Sequence, residues 1–107
     1  ISPNFANGPY LNVISHANFM AGNYKASLAA HEKNVQRGGP VGPPALCWAA
    51  ASYFLEGELT ASEETAKRLK SDFPDFRLTG WNFLQLVEDE DVRKRLESAF
   101  LQAGIPS

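Results

Sequence analysis

The chain repeats itself. Gly8-Pro9-Tyr10-Leu11 returns as Gly42-Pro43-Pro44-Ala45, 34 residues on, and Phe19-Met20-Ala21-Gly22-Asn23-Tyr24 returns as Phe54-Leu55-Glu56-Gly57-Glu58-Leu59 at an offset of 35. A unit this short cannot enclose a core of its own, so it must bury its apolar face on a neighbouring copy. Two short helices around a glycine, repeated near every 34 residues, is the period of stacked helical hairpins, whose members usually bind other proteins.

Apolar spacing fills in the units. Pro9 suits a first helical position, and Tyr10, Val13, Ile14, Ala17 and Ala21 form a stripe at three- and four-residue steps that leaves Leu11, Asn18 and Phe19 aside, so a helix is predicted over 9–21. Gly22-Asn23 breaks it, and Tyr24, Leu28, His31 and Val35 mark one face of a second helix that ends near Arg37. The stretch 38–44 holds three glycines and three prolines and reads as a turn between units. It lacks the Lys followed by Ser or Thr that a phosphate-binding loop needs.

From Ala45 to Leu55 the residues are apolar on nearly every side, which predicts a helix buried among neighbours, with Cys47 and Trp48 at the centre. Thr60 followed by Glu63 has the pattern of a capping box, after which Ser62, Ala66, Leu69 and Phe73 continue one face until Pro74. Beyond it, Leu78, Trp81, Phe83, Leu84, Leu86 and Val87 suggest a short apolar helix. Val92, Leu96, Ala99, Phe100 and Ala103 suggest a longer amphipathic one, stopped by Gly104 and Pro106. Glu88-Asp89-Glu90-Asp91 sets negative charge at the start of that last helix, and Asp89/Arg93, Glu90/Lys94 and Asp91/Arg95 are each four apart with the acid first.

Composition narrows the function. At 107 residues and 44% hydrophobic content the chain can bury roughly 60–70% of its unfolded surface as one domain. A formal charge of −2, with bases interleaved among acids, argues against nucleic acid or an anionic membrane as the partner. A single cysteine excludes an internal disulfide and fits a cytoplasmic location. The start at Ile1 rather than Met fits a piece of a longer protein.

Enzymatic signatures are weak. His31-Glu32 would need a second histidine where Val35 stands to make a helical zinc site. His31 reads as a partly buried helix residue and His16 as a surface one. Cys47 beside Trp48 behaves as a small hydrophobe, and Ser27, Ser52 and Ser62 stand in packing positions without a strained nucleophile turn. The acidic run is helix-start chemistry rather than a calcium loop. No catalytic residue, cofactor or metal is expected.

With Gly22-Asn23-Tyr24 and Leu28 in one unit, and Gly57, Ser62 and Pro74 in the next, the chain resembles the tetratricopeptide repeat family over about residues 9–76. Small residues stand where that family packs helix on helix: Ala17, Ala21 and Ser27, then Ser52 and Ser62. The usual early aromatic and late alanine are not kept, since Asn34 and Leu69 occupy the latter place. The end of the chain, Phe73-Pro74-Asp75-Phe76-Arg77-Leu78 and then Arg95-Leu96 and Ala103-Gly104-Ile105-Pro106, looks like the C-terminal end of bacterial class III adenylate/guanylate cyclases that carry such repeats. Similar repeat tails follow winged-helix DNA-binding domains in some regulators.

The resemblance implies an all-α, right-handed helical-hairpin superhelix. Its parts would be the tail of a preceding repeat (1–8), repeats at 9–42 and 43–76, and C-terminal capping helices (77–107). It implies a noncatalytic scaffold that meets a protein, a peptide or the upstream domains of its own chain, with a homo-oligomerisation module as the alternative. The first helix of each hairpin would line the concave side, making Asn12, His16, Phe19 and Met20, with Cys47, Ala51, Phe54 and Leu55, the candidate interaction residues.

Overall fold

Every regular element that the computed structural model describes is helical; it covers residues 3–38, 41–81 and 86–107, with 3–10 given by their backbone alone. In chain order these are α1 (Pro3–Met20), α2 (Tyr24–Gln36), α3 (Pro43–Leu55), α4 (Leu59–Asp72), a single 3-10 turn (Leu78–Gly80) and α5 (Glu90–Gln102).

The repeat in the sequence is a repeat in the backbone. Gly22 at φ +82° and Gly57 at φ +81° take the left-handed conformation that a β-carbon disfavours. After α1 the Gly22 N–H donates to the Phe19 carbonyl and the Asn23 N–H to Asn18; after α3 the Gly57 N–H donates to Phe54 and the Glu58 N–H to Tyr53. This paired bonding satisfies helix-end carbonyls while reversing the chain in a few residues.

A second correspondence lies between the paired helices. Ser27 Oγ donates to the Ser15 carbonyl at 2.7 Å, and Ser62 Oγ to the Ala50 carbonyl at 2.9 Å. Both pairs are 12 residues apart, and the two serines are 35 apart. In the first hairpin the partners spread from Ser15/Ser27 to Asn12/Asn34 with distance from the turn, which makes the helices antiparallel. α1 packs most extensively on α2 and α3 on α4, while α3 also touches α1, α2 and α5.

Three local readings need correction. α1 begins at Pro3, so Pro9 lies inside it, where the ring removes one backbone donor, rather than at its first position. The buried face of the described part of α1 is Leu11, Ser15 and Phe19, whereas Val13 is 62% exposed and Ala17 and Ala21 face solvent. The stripe failed because the position against α2 is filled by a serine, which hydropathy marks as surface. α4 starts at Leu59 after Glu58 with no side-chain cap, so Thr60 lies within the first turn and forms no capping box. The α4 face itself is as expected: Ser62, Ala66 and Leu69 are buried.

Two prolines open α3 after Gly42, where their missing N–H groups cost nothing, and residues 45–53 are buried without a break. α3 is enclosed because four helices surround it. One apolar cluster joins Phe19, Leu46, Trp48, Leu69, Leu78 and Phe100; a smaller one joins Leu28, Ala49 and Tyr53.

The C-terminal region closes onto this centre. Asp89 caps α5 by accepting from the N–H groups of Asp91 and Val92, so it acts as the cap and Arg93 turns towards the Val87 carbonyl. Glu90 and Lys94 form the expected pair at 3.3 Å. Of the expected apolar helix after Leu78, the 3-10 turn is present and Trp81 is extended; Phe83 and Leu84 lie outside the described residues. The Leu78 and Thr79 N–H groups donate to the Pro106 and Ser107 carbonyls, tying the end of the chain beside the turn that carries Trp81. A radius of gyration of 13.3 Å is close to the ~13 Å of a closed domain of about 100 residues.

Candidate interaction surface

The eight candidate residues do not form one strip. Cys47 and Ala51 have no exposed surface and Phe19 only 3%, so all three are core and are withdrawn as surface residues. The cause is α5, which lies against α3 and brings Phe100 to within 5.8 Å of the Phe19 ring. Trp81 then lies tilted at 5.3 Å from both Trp48 and Phe100, and Phe76 lies edge-on to it. Side chains that could have faced a ligand instead face the chain's own last helix.

Four of the remaining five candidates divide between two clefts. On one side Asn12 and His16 line a hollow of about 320 Å³ with Val13, Pro44 and Trp48. The His16 and Trp48 rings are parallel within 4° at a centroid separation of 4.2 Å, so His16 is a stacked, half-buried residue rather than a plain surface one. Burial lowers its pKa. Asn12 accepts from Asn34 Nδ2 at 3.2 Å, which holds it towards α2.

On the other side Met20 and Leu55 line a groove of about 440 Å³ whose opposite wall is α5, through Val92, Arg95 and Leu96. Met20 and Leu55 occupy equivalent places in the two units, 35 residues apart, and each is 44% exposed. Phe54 is half-buried and packs against the core below. Reading the chain linearly missed the α5 wall: Val92 and Leu96 looked like cap interior and Arg95 like an intrahelical partner of Asp91. No local pattern marks them, because their role depends on where α5 docks.

A polar site lies between α2 and α4. His31 is buried beside Tyr53, Glu64 and Arg68 in a hollow of about 200 Å³. Burial lowers the His31 pKa, Glu32 opposes that shift, and Arg68 lowers it again. Tyr53 donates to Glu32 Oε2 at 2.7 Å, and burial together with that bond pushes its phenol above the ordinary range. Burial pushes the Cys47 thiol up to about 12, which keeps it protonated and unreactive at neutral pH. Among the described residues no group of three or more metal-binding side chains comes together, and no helix is long and apolar enough to cross a membrane.

No family model matches the chain, and no curated protein or solved structure is significantly similar to it.

Proposed function

We propose that this chain is a noncatalytic protein-binding scaffold of tetratricopeptide-like hairpins, a C-terminal regulatory part of a larger bacterial signalling protein of the adenylate cyclase kind that works in the cytoplasm. One observation carries the scaffold reading: turn, helix spacing and serine bond recur at an offset of 35, as they would in a stack of equivalent hairpins. Stacks of that kind present the same positions side by side and so build extended surfaces for peptides. The parent assignment rests on the likeness of the last third to the ends of repeat-bearing cyclases.

Screening the purified chain against a displayed random-peptide library tests the reading, with enriched peptides mapped by amide shifts. Binders that map to one face of the hairpin stack are expected. Absence of any enriched peptide, or conversion of ATP to cyclic AMP by the chain itself, would count against it. A second reading, self-association, is favoured by the exposure of Val13 and Leu59, at 62% and 55%, and concentration-dependent sedimentation separates the two.

A further inference from the structure

The groove between the hairpin ends and α5 is apolar but not featureless. Its floor and near wall come from Phe19, Met20, Tyr24 and Leu55, and α5 supplies Leu96 and Arg95. Arg95 is the one cation among its described lining residues, and no acid lines it. Arg95 is exposed, so its guanidinium remains hydrated and available at the rim instead of being consumed by a buried pair. The volume of about 440 Å³ lies within the range of roughly 300–1,000 Å³ that holds a small ligand or a few large side chains. Met20 and Leu55, at one register of the two units and equally exposed, offer two apolar footholds side by side.

We infer that this groove takes a peptide segment of a partner protein in which two neighbouring large apolar side chains sit beside a carboxylate, the apolar pair on Met20 and Leu55 and the carboxylate on Arg95. The assignment rests on the scaffold reading above and adds the chemistry of the partner. Charge complementarity selects the occupant. A basic segment would bring a cation against Arg95 with no acid in the lining to offset it, while a neutral apolar one would leave a planar, two-pronged donor unused. Apolar contact supplies the affinity and the arginine sets the preference among sequences.

The test uses two synthetic peptides in a Gly-Ser frame, one carrying Leu-Leu-Glu-Glu and its twin Leu-Leu-Gln-Gln, titrated into the labelled chain while the Met20 and Leu55 methyl signals are followed. The acidic peptide should shift both methyls and bind about two- to fivefold more tightly than the amide twin, a preference that shrinks as salt is raised. Arg95→Glu should abolish or invert it, and Arg95→Gln should reduce it; circular dichroism of both variants controls for folding. Equal binding of the two peptides, an unchanged preference in Arg95→Glu, or no binding of the acidic peptide overturns the inference. So does a concentration-dependent shift of the same methyls without peptide, which would place a second copy in the groove. Library peptides that bind elsewhere on the chain would leave the scaffold reading standing while this assignment falls; if no peptide of any composition binds, both fall.

Discussion

On α1 and α2 polar side chains make up half of the described buried residues, beside Leu11, Phe19, Leu28 and Ala30: Ser15 and Ser27 each donate to the other's carbonyl, Asn34 reaches Asn12, and His31 is enclosed nearby. Between α3 and α4 the same geometry keeps one such bond, from Ser62 to Ala50, and the rest of α3 beyond its opening prolines is alanine, leucine, cysteine and aromatic but for the buried Ser52. The two hairpins therefore share a backbone but not a kind of interior. Position in the stack accounts for this. α3 has a helix on each of four sides, and its polar side chains are few: Tyr53 reaches the Glu32 carboxylate, and Ser52 Oγ is buried without a hydrogen-bond partner among the described residues. α1 and α2 pack mainly on one another and on α3, and the serine clasp satisfies the hydroxyls buried between them.

The contrast can be broken most severely at its apolar end. Trp48→Ala removes the ring that joins His16, Phe19 and Trp81, and should cost about 3–5 kcal/mol in urea unfolding, whereas Leu28→Ala in the first hairpin should fall near the lower end of the large-to-small range, about 2 kcal/mol. If the outer substitution cost more, the centre of the fold would be misassigned. Equivalence of the turns is tested next. Gly22→Ala and Gly57→Ala meet no atom within 4 Å, so each loses only the cost of placing a β-carbon at positive φ, about 1–2 kcal/mol, and unfolding midpoints should fall by matching amounts.

The clasp gives a finer distinction. Ser27→Ala removes a donor bond and the hydroxyl opposite Ser15, and should cost about 1–1.5 kcal/mol; Ser62→Ala removes one bond and should cost about 0.5–1 kcal/mol. Reversal of that order by chemical denaturation would mean that the second clasp is the more important.

Smaller still is the pH dependence. Burial lowers His31 and His16 from 6.5, so below that value the unfolded chain binds more protons than the folded one. Stability should be flat between about pH 6.5 and 8 and decline as pH falls towards the folded histidine pKa, with Glu32 softening the loss at His31 and Arg68 sharpening it; above about pH 8.5 it should decline again, because the buried Cys47 thiol keeps a proton that the unfolded chain loses. His31→Gln should flatten the thermal-melting profile between neutral and mildly acid pH more than any surface substitution. Smallest of all, Thr60→Ala should change stability by less than about 0.5 kcal/mol, because no cap is present to lose.

Much of this could be read from the residues one by one. The glycines at 22 and 57 marked both turns, the run at 45–55, apolar on nearly every side, marked the enclosed helix, and Ser62, Ala66 and Leu69 gave the buried face of α4. Reading failed where polarity and burial part company. Ser15 is buried while Val13 on the same helix is exposed, since the hydroxyl finds a carbonyl that hydropathy cannot anticipate. Thr60 had the right neighbours for a cap, but the turn after Gly57 was complete at Glu58, two residues earlier.

What the sequence determined by itself is the local plan: helices of about this length, reversing at these glycines, with a 35-residue period, because φ preference, proline position and apolar spacing act within a few residues of one another. Only the tertiary structure decided which candidate side chains reach solvent. Phe19, Cys47 and Ala51 were lost to the core when α5 closed on α3, and the same closure set Arg95 opposite Met20 and Leu55. Docking of that kind depends on the summed fit of surfaces distant along the chain, chiefly Phe100 among Phe19, Trp48 and Trp81, and no short stretch of residues encodes it.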